Sequence, residues 1–207
     1  MSQSASCNEV YCTGILLKKI EKKTGGCMLL VRSESTYLSN KGSRKETITP
    51  FFYCSKEIPL PDELCEGAHI SIHAHVYVYE WHEKGKKRIR NQYMRAETVS
   101  MEHTLLEEEF GIKGNTFPAP EFKIRLMGEV MKVLTMENGW ENITVNTKKQ
   151  EKDLNIQICR KTDLNDVQIK PGDIICALCQ IKTKQKIVNE SETKRFEDLI
   201  VQDISIL

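Results

Sequence analysis

The sequence says the same thing twice, and that repeat restricts the chain to folds that can be built in duplicate from modules of roughly 100 residues. Cys54-Ser55-Lys56, Gly67, Ile70, Ile72, Ala74 and Val76 recur without a gap as Cys159-Arg160-Lys161, Gly172, Ile175, Ala177, Cys179 and Ile181. Upstream, Gly14, an apolar run and the turn Gly25-Gly26 are echoed by Gly128, a second run and Asn138-Gly139. The chain of 207 residues therefore reads as two modules, 1–101 and 121–207, joined by a connector over 102–120. A doubled module doubles whatever surface it carries, which points to binding.

Within the first copy, Val10 to Ile20, the glycine turn and Cys27 to Val31 read as a hairpin, the glycines supplying the positive φ that tight turns demand. Ser33 to Lys45 is polar and predicts a loop. Thr47 to Cys54 predicts a third strand, interrupted or started at Pro50, because proline donates no ladder hydrogen bond. Pro59 to Cys65 is too short for more than a helical turn. His69 to Trp81 and Arg90 to Ser100 form a long hairpin around the tip Lys84-Gly85-Lys86-Lys87-Arg88. The second copy repeats this order from Phe122, with a longer polar tip from Lys184 to Lys194. Acidic Glu102 to Phe110 predicts a short helix, and Gly111 to Pro120 a linker. The predicted fold is all-β: two tandem OB-fold barrels, each a five-stranded Greek key, with a short helical linker.

Net charge is only +1, so any electrostatic footprint must come from local clustering. Met1 to Ser6 lack a basic and an apolar leader region, and no stretch approaches the ~20 apolar residues of a membrane span. These features predict a cytoplasmic protein with no membrane partner. Eight cysteines are then read as reduced thiols, with Cys54, Cys159, Cys176 and Cys179 in core strands.

Gly14 within a first strand, Gly67-x-x-Ile-x-Ile-x-Ala-x-Val opening a fourth, and Ala96-Glu97 in a fifth resemble the bacterial single-stranded DNA-binding proteins. The resemblance covers about residues 10 to 101 and, more faintly, 122 to 207. It implies an oligonucleotide-binding barrel. The family usually carries one barrel and an acidic, aromatic tail that recruits enzymes, whereas Val201 to Leu207 reads as the end of a strand. The resemblance therefore does not imply tail-borne recruitment here, and leaves the oligomeric state open.

Along His69 to Trp81, alternation puts Ile70, Ile72, Ala74, Val76 and Val78 on one face and His73, His75, Tyr77, Tyr79 and Trp81 on the other. The second face runs into Lys84, Lys86, Lys87, Arg88 and Arg90, with Tyr93 on the return strand. Rings stack on exposed bases while lysine and arginine follow phosphates, so these residues form the candidate nucleic-acid site. The competing reading is that the rings pack against the rest of the chain and the basic tip is a solvated turn. The second copy offers Lys182, Lys184, Lys186, Lys194, Arg195 and Phe196, diluted by Glu190 and Glu192. Trp140 is read as capping its barrel.

His73 and His75 share a face by alternation, but paired metal-ligand spacings are missing, and neither metal nor cofactor is predicted. There is no phosphate loop, nucleophile elbow or His-Glu-x-x-His, so the reading is non-enzymatic. The predicted function is sequence-tolerant binding of single-stranded DNA in replication, recombination or mobile-element transfer. RNA stays open as a ligand, because 2′-hydroxyl contacts cannot be read from composition. A homo-oligomer or a replication or recombination protein is the partner this reading allows. The alternative is an assembly module docking on a replication or secretion partner.

Overall fold

The structure is a computed structural model that describes residues 6–23, 25–39, 42–81, 89–102, 117–149, 152–162, 167–189 and 192–207. Within these spans the side chains of 37–39, 81, 89–90, 184–189 and 192–196 are outside the description. Among the described residues all regular structure is strand: β1 (Cys7–Glu21), β2 (Cys27–Ser39), β3 (Gly42–Ile48), β4 (Phe51–Cys54), β5 (His69–Trp81), β6 (Ile89–Met101), β7 (Glu121–Thr135), β8 (Trp140–Lys149), β9 (Lys152–Lys161), β10 (Ile174–Asn189) and β11 (Glu192–Ile206). No helix among them is long and apolar enough to cross a membrane. The helix expected over Glu102 to Phe110 and most of the linker lie outside the described residues. The chain divides into two compact units, one of residues 10–75 and 94–123, the other of residues 1–9, 76–93 and 124–207.

In the first unit β1 changes partner along its length. Val10 to Ile15 run antiparallel to β5, with Val10 opposite Ala74, and Ile15 to Glu21 run antiparallel to β2, across a bulge between Leu16 and Lys18. Gly14 sits at this crossing because a Cβ there would meet the Arg32 carbonyl oxygen. β2 pairs with β4, β4 runs parallel to β6 at Phe52–Met94 and Tyr53–Arg95, and β6 pairs with β5, so five strands return to β1. The Leu16 amide donates to Ala68 O and Leu16 O accepts from the Gly67 amide, where the φ of 91° needs glycine. Leu16, Leu29, Val31, Phe52, Ile70 and Ile72 are fully buried, each such side chain contributing roughly 1.5–3 kcal/mol. Outside this core, Thr13 Oγ1 donates to Ala119 O at 3.1 Å and accepts from the Glu121 amide at 2.9 Å. Phe117 stacks on His69 with centroids 3.6 Å apart, so the chain entering β7 is held against β1 and β5.

The predicted loop over Ser33 to Lys45 is instead a hairpin. β2 continues to Ser39 and pairs with β3 from Ser33–Ile48 to Ser39–Gly42. Backbone pairing satisfies both strands, and the exposed polar side chains of β3 need no core to cover them. The expected break falls at Pro50, between β3 and β4, and its carbonyl accepts from the Val31 amide. Pro59 to Cys65 holds no more than a turn, as its length requires, closed by Leu64 N donating to Pro61 O.

In the other unit β7 pairs with β8 across a bulge between Val130 and Lys132, β8 with β9, β9 in parallel with β11 at Cys159–Ile200, and β10 with both β11 and β7. Gly128 lies against the Asn146 carbonyl as Gly14 lies against Arg32. Val130 exchanges hydrogen bonds with Asp173 O and the Gly172 amide as Leu16 does with Ala68 and Gly67. The end of the β5–β6 hairpin belongs to this unit and is held by two side-chain amides that imitate a neighbouring strand. Asn8 Oδ1 accepts from Val76 N and its Nδ2 donates to Val76 O, at 2.9 and 2.8 Å. Gln92 does the same to Gln157, accepting from N at 3.1 Å and donating to O at 2.9 Å.

Strand register refines the repeat by one residue. Lys22 with Gly25 and Met136 with Gly139 close the same turn, which aligns Cys27 with Glu141. Cys27 lies opposite Cys54, and Glu141 lies opposite Arg160, so Arg160 rather than Cys159 takes the place of Cys54. Cys54 and Cys179 are buried as expected, but Cys159 and Cys176 are half-exposed because their strand parity turns them outward.

Candidate nucleic-acid interface

The core side of β5 follows alternation through Ile70, Ile72, Ala74 and Val76, all at most 3% exposed, while Val78 is only half-buried where the strand runs into the hairpin. The other side departs from expectation at one residue. His73 is exposed, but His75 is buried with Nδ1 2.9 Å from Glu97 Oε1, so the two histidines do not present a common face. Farther along, Tyr77 and Tyr93 are half-buried with ring centroids 5.5 Å apart, and Tyr79 is 52% exposed. β5 and the return strand thus bring Tyr77 and Tyr93 together and leave the Tyr79 ring open to solvent. Trp81 ends β5 with its side chain outside the description, Arg90 likewise at the start of β6, and Lys84, Lys86, Lys87 and Arg88 lie outside the described residues.

In the second copy Lys182 is exposed on β10. The expected polar tip is largely paired strand: Lys184 lies opposite Phe196, Gln185 opposite Arg195, Lys186 opposite Lys194, and pairing continues to Asn189–Glu192. Only the side chains of these residues fall outside the description. Trp140 is half-buried at the start of β8, opposite Lys161.

The sequence reading missed a second group of residues, on the outer side of β2, β4 and β6. Opposite the buried Cys27, Leu29 and Val31, alternation turns half-buried Met28 and Leu30 and exposed Arg32 outward. Half-buried Phe51 and Tyr53 of β4 lie across from Leu30 and Met28, and Arg95 of β6 lies beside Tyr53. The result is a sheet face with two aromatic rings, two apolar side chains and two guanidinium groups. Such a face can stack bases and pair with phosphates at once. The β2–β3 hairpin adds exposed Arg44 and Lys45, the latter 3.4 Å from Glu34. A signal existed in Phe51-Phe52-Tyr53-Cys54, which must show aromatics on both sides of one strand. In small barrels of this type the second and third strands carry the ligand face. The corresponding side of β8 and β9 is different: Asn142, Thr144 and Asn146 oppose Cys159, Gln157 and Asn155, without a ring or a cation among these six.

No protein-family model and no curated protein matches the chain. Solved structures do. The wild-type single-stranded DNA binding protein from Thermus aquaticus matches with a TM-score of 0.63 at 12% identity, over 98% of this chain and 93% of that one. A deletion mutant of the same protein matches with a TM-score of 0.64 at 13% identity, over 98% and 95%. At such identity the likeness establishes the fold, and it runs through both copies of the repeat.

Proposed function

We propose that the chain is a non-catalytic single-stranded DNA-binding protein built of two tandem oligonucleotide-binding barrels, 1–101 and 121–207. The observation that carries this reading is the outer face of β2, β4 and β6, where Phe51 and Tyr53 lie among Arg32, Arg95, Met28 and Leu30. Bases stack on the two rings while the guanidinium groups take phosphates, each stacked base contributing ~1–3 kcal/mol without regard to sequence. Tyr77, Tyr79 and Tyr93, with Lys84, Lys86, Lys87 and Arg88 of the sequence, are a separate candidate group for the same chemistry. The fold shared with the Thermus aquaticus protein supports the reading. Protection of strands exposed in replication, recombination or mobile-element transfer is the process such binding serves.

Replacing Phe51 and Tyr53 together by Ala tests the face. Loss of two stacking platforms weakens binding to a labelled thymidine oligonucleotide by roughly tenfold or more. Unchanged affinity in a folded variant rejects the face as the site. A second reading draws on the middle of β8 and β9, where Asn142, Thr144, Asn146, Cys159, Gln157 and Asn155 offer neither ring nor cation: on a chain of net charge +1 such a patch suits a protein partner. The second copy then acts as an assembly module while the first holds the strand.

A further inference from the structure

We propose that Cys27 and Cys54 are a redox-active dithiol that closes, by exchange with a low-molecular-weight disulfide, into a cross-strand bond between β2 and β4. The two residues lie directly opposite each other in the antiparallel β2–β4 register. Opposed residues in such a pair have Cα atoms about 4.5–5.5 Å apart, inside the range of about 4.4–6.8 Å that a disulfide spans. Both thiols are free and 1% exposed.

Other buried cysteines lack this arrangement, since Cys12 faces Ile72 and Cys179 faces Val201. The second copy also lacks it, having the Glu141–Arg160 ion pair at the matching position. Access comes from the location. Cys27 opens β2 directly after the half-exposed Gly25–Gly26 turn, and Cys54 closes β4 directly before half-exposed Ser55. Cys27 is the terminal residue of both its pairings, with Glu21 of β1 and with Cys54 of β4, so fraying at this one strand end uncovers both sulfurs.

The exchange balances without further reagents. One protein thiolate attacks a sulfur of the small disulfide, expelling one small thiolate and leaving a mixed disulfide. The second protein thiolate attacks the protein-side sulfur and expels the other. Two protons pass from the protein thiols to the released small thiolates, the protein loses two electrons, and the small disulfide becomes two thiols. The adjacent pair along the strands is Met28–Tyr53, so the bond fixes the strand pair that carries the outer aromatic face.

The test incubates the full chain with increasing oxidised glutathione, blocks remaining thiols with N-ethylmaleimide and maps the products by mass spectrometry. The expected product is an intramolecular Cys27–Cys54 link, two hydrogens lighter than the reduced chain, with exposed Cys65 carrying glutathione separately. The link raises the thermal midpoint by about 5–10 °C, and Cys27→Ser abolishes both changes. Cys27 and Cys54 recovered as free thiols, as two separate mixed disulfides, or joined to other cysteines overturns the proposal. The mapping is made on the wild-type chain, so its outcome does not depend on a variant folding.

Discussion

At the scale of single residues, close approach and burial decide most of what the two copies share. Gly14 and Gly128 are each pressed against a neighbouring strand's carbonyl, and this is the physical reason the same residue type recurs at that point. Gly14→Ala forces β1 and β2 apart and is expected to cost roughly 1–3 kcal/mol, read as a lower urea midpoint with an unchanged slope. Cys12 shows burial acting on chemistry. Desolvation pushes its thiol up to about 12, so the folded chain holds the proton more tightly than the unfolded one. Its stabilising contribution is therefore intact below the ordinary thiol range of about 8.5 and is lost as pH rises toward 12. Urea midpoints measured from pH 7.5 to 10.5 should fall more steeply for the wild-type chain than for Cys12→Ala; parallel profiles contradict the assignment. His75 shows where residue-level reading stops. Strand alternation places it with Tyr77 and Tyr79, but Glu97 on another strand meets it, and no local pattern announces that partner.

At the scale of elements, the hairpins and the glycine turns were legible because they rest on local chemistry: positive φ, alternating polarity and the missing N–H of Pro50. The β2–β3 hairpin was not, since β3 is exposed as far as Thr47 and the buried residues described in β2 beyond Val31 are the polar Ser33 and Ser35. The face formed by Phe51, Tyr53 and Arg95 was missed for a different reason. It is assembled by long-range pairing, including the parallel contact of β4 with β6, which no neighbouring residues encode. The basic hairpin tip, the most visible sequence signal, lies outside the described residues; the strands leading to and from it carry Tyr77, Tyr79 and Tyr93, and Asn8 and Gln92 bond to Val76 and Gln157. The same strand end is closed by a thiol pair in one copy and by an ion pair in the other. Arg160 is 2% exposed, donates through Nε to Glu141 at 2.7 Å and also to the Val167 carbonyl at 2.8 Å. Glu141→Ala leaves that guanidinium buried without its carboxylate and is expected to cost about 3–5 kcal/mol, whereas Arg160→Met with Glu141→Leu recovers most of the loss. Chemical denaturation of the single and double variants checks this, and equal losses in both contradict it.

At the scale of the whole molecule, a net charge of +1 separates this chain from proteins that coat nucleic acid by bulk charge. On the proposed function, affinity comes from rings and a few well-placed cations, and binding combines stacking with counterion release. The duplication stands out in the sequence because glycine turns and apolar periodicity survive in both copies, while the outer faces have diverged from aromatic and basic to amide-lined. Fluorescence anisotropy of a labelled thymidine oligonucleotide across a salt series, with duplex DNA as competitor, tests the central claim most directly. A strand-binding chain binds tightly, loses affinity as salt rises and is not displaced by duplex. No binding at low salt, or equal displacement by duplex, would contradict that claim.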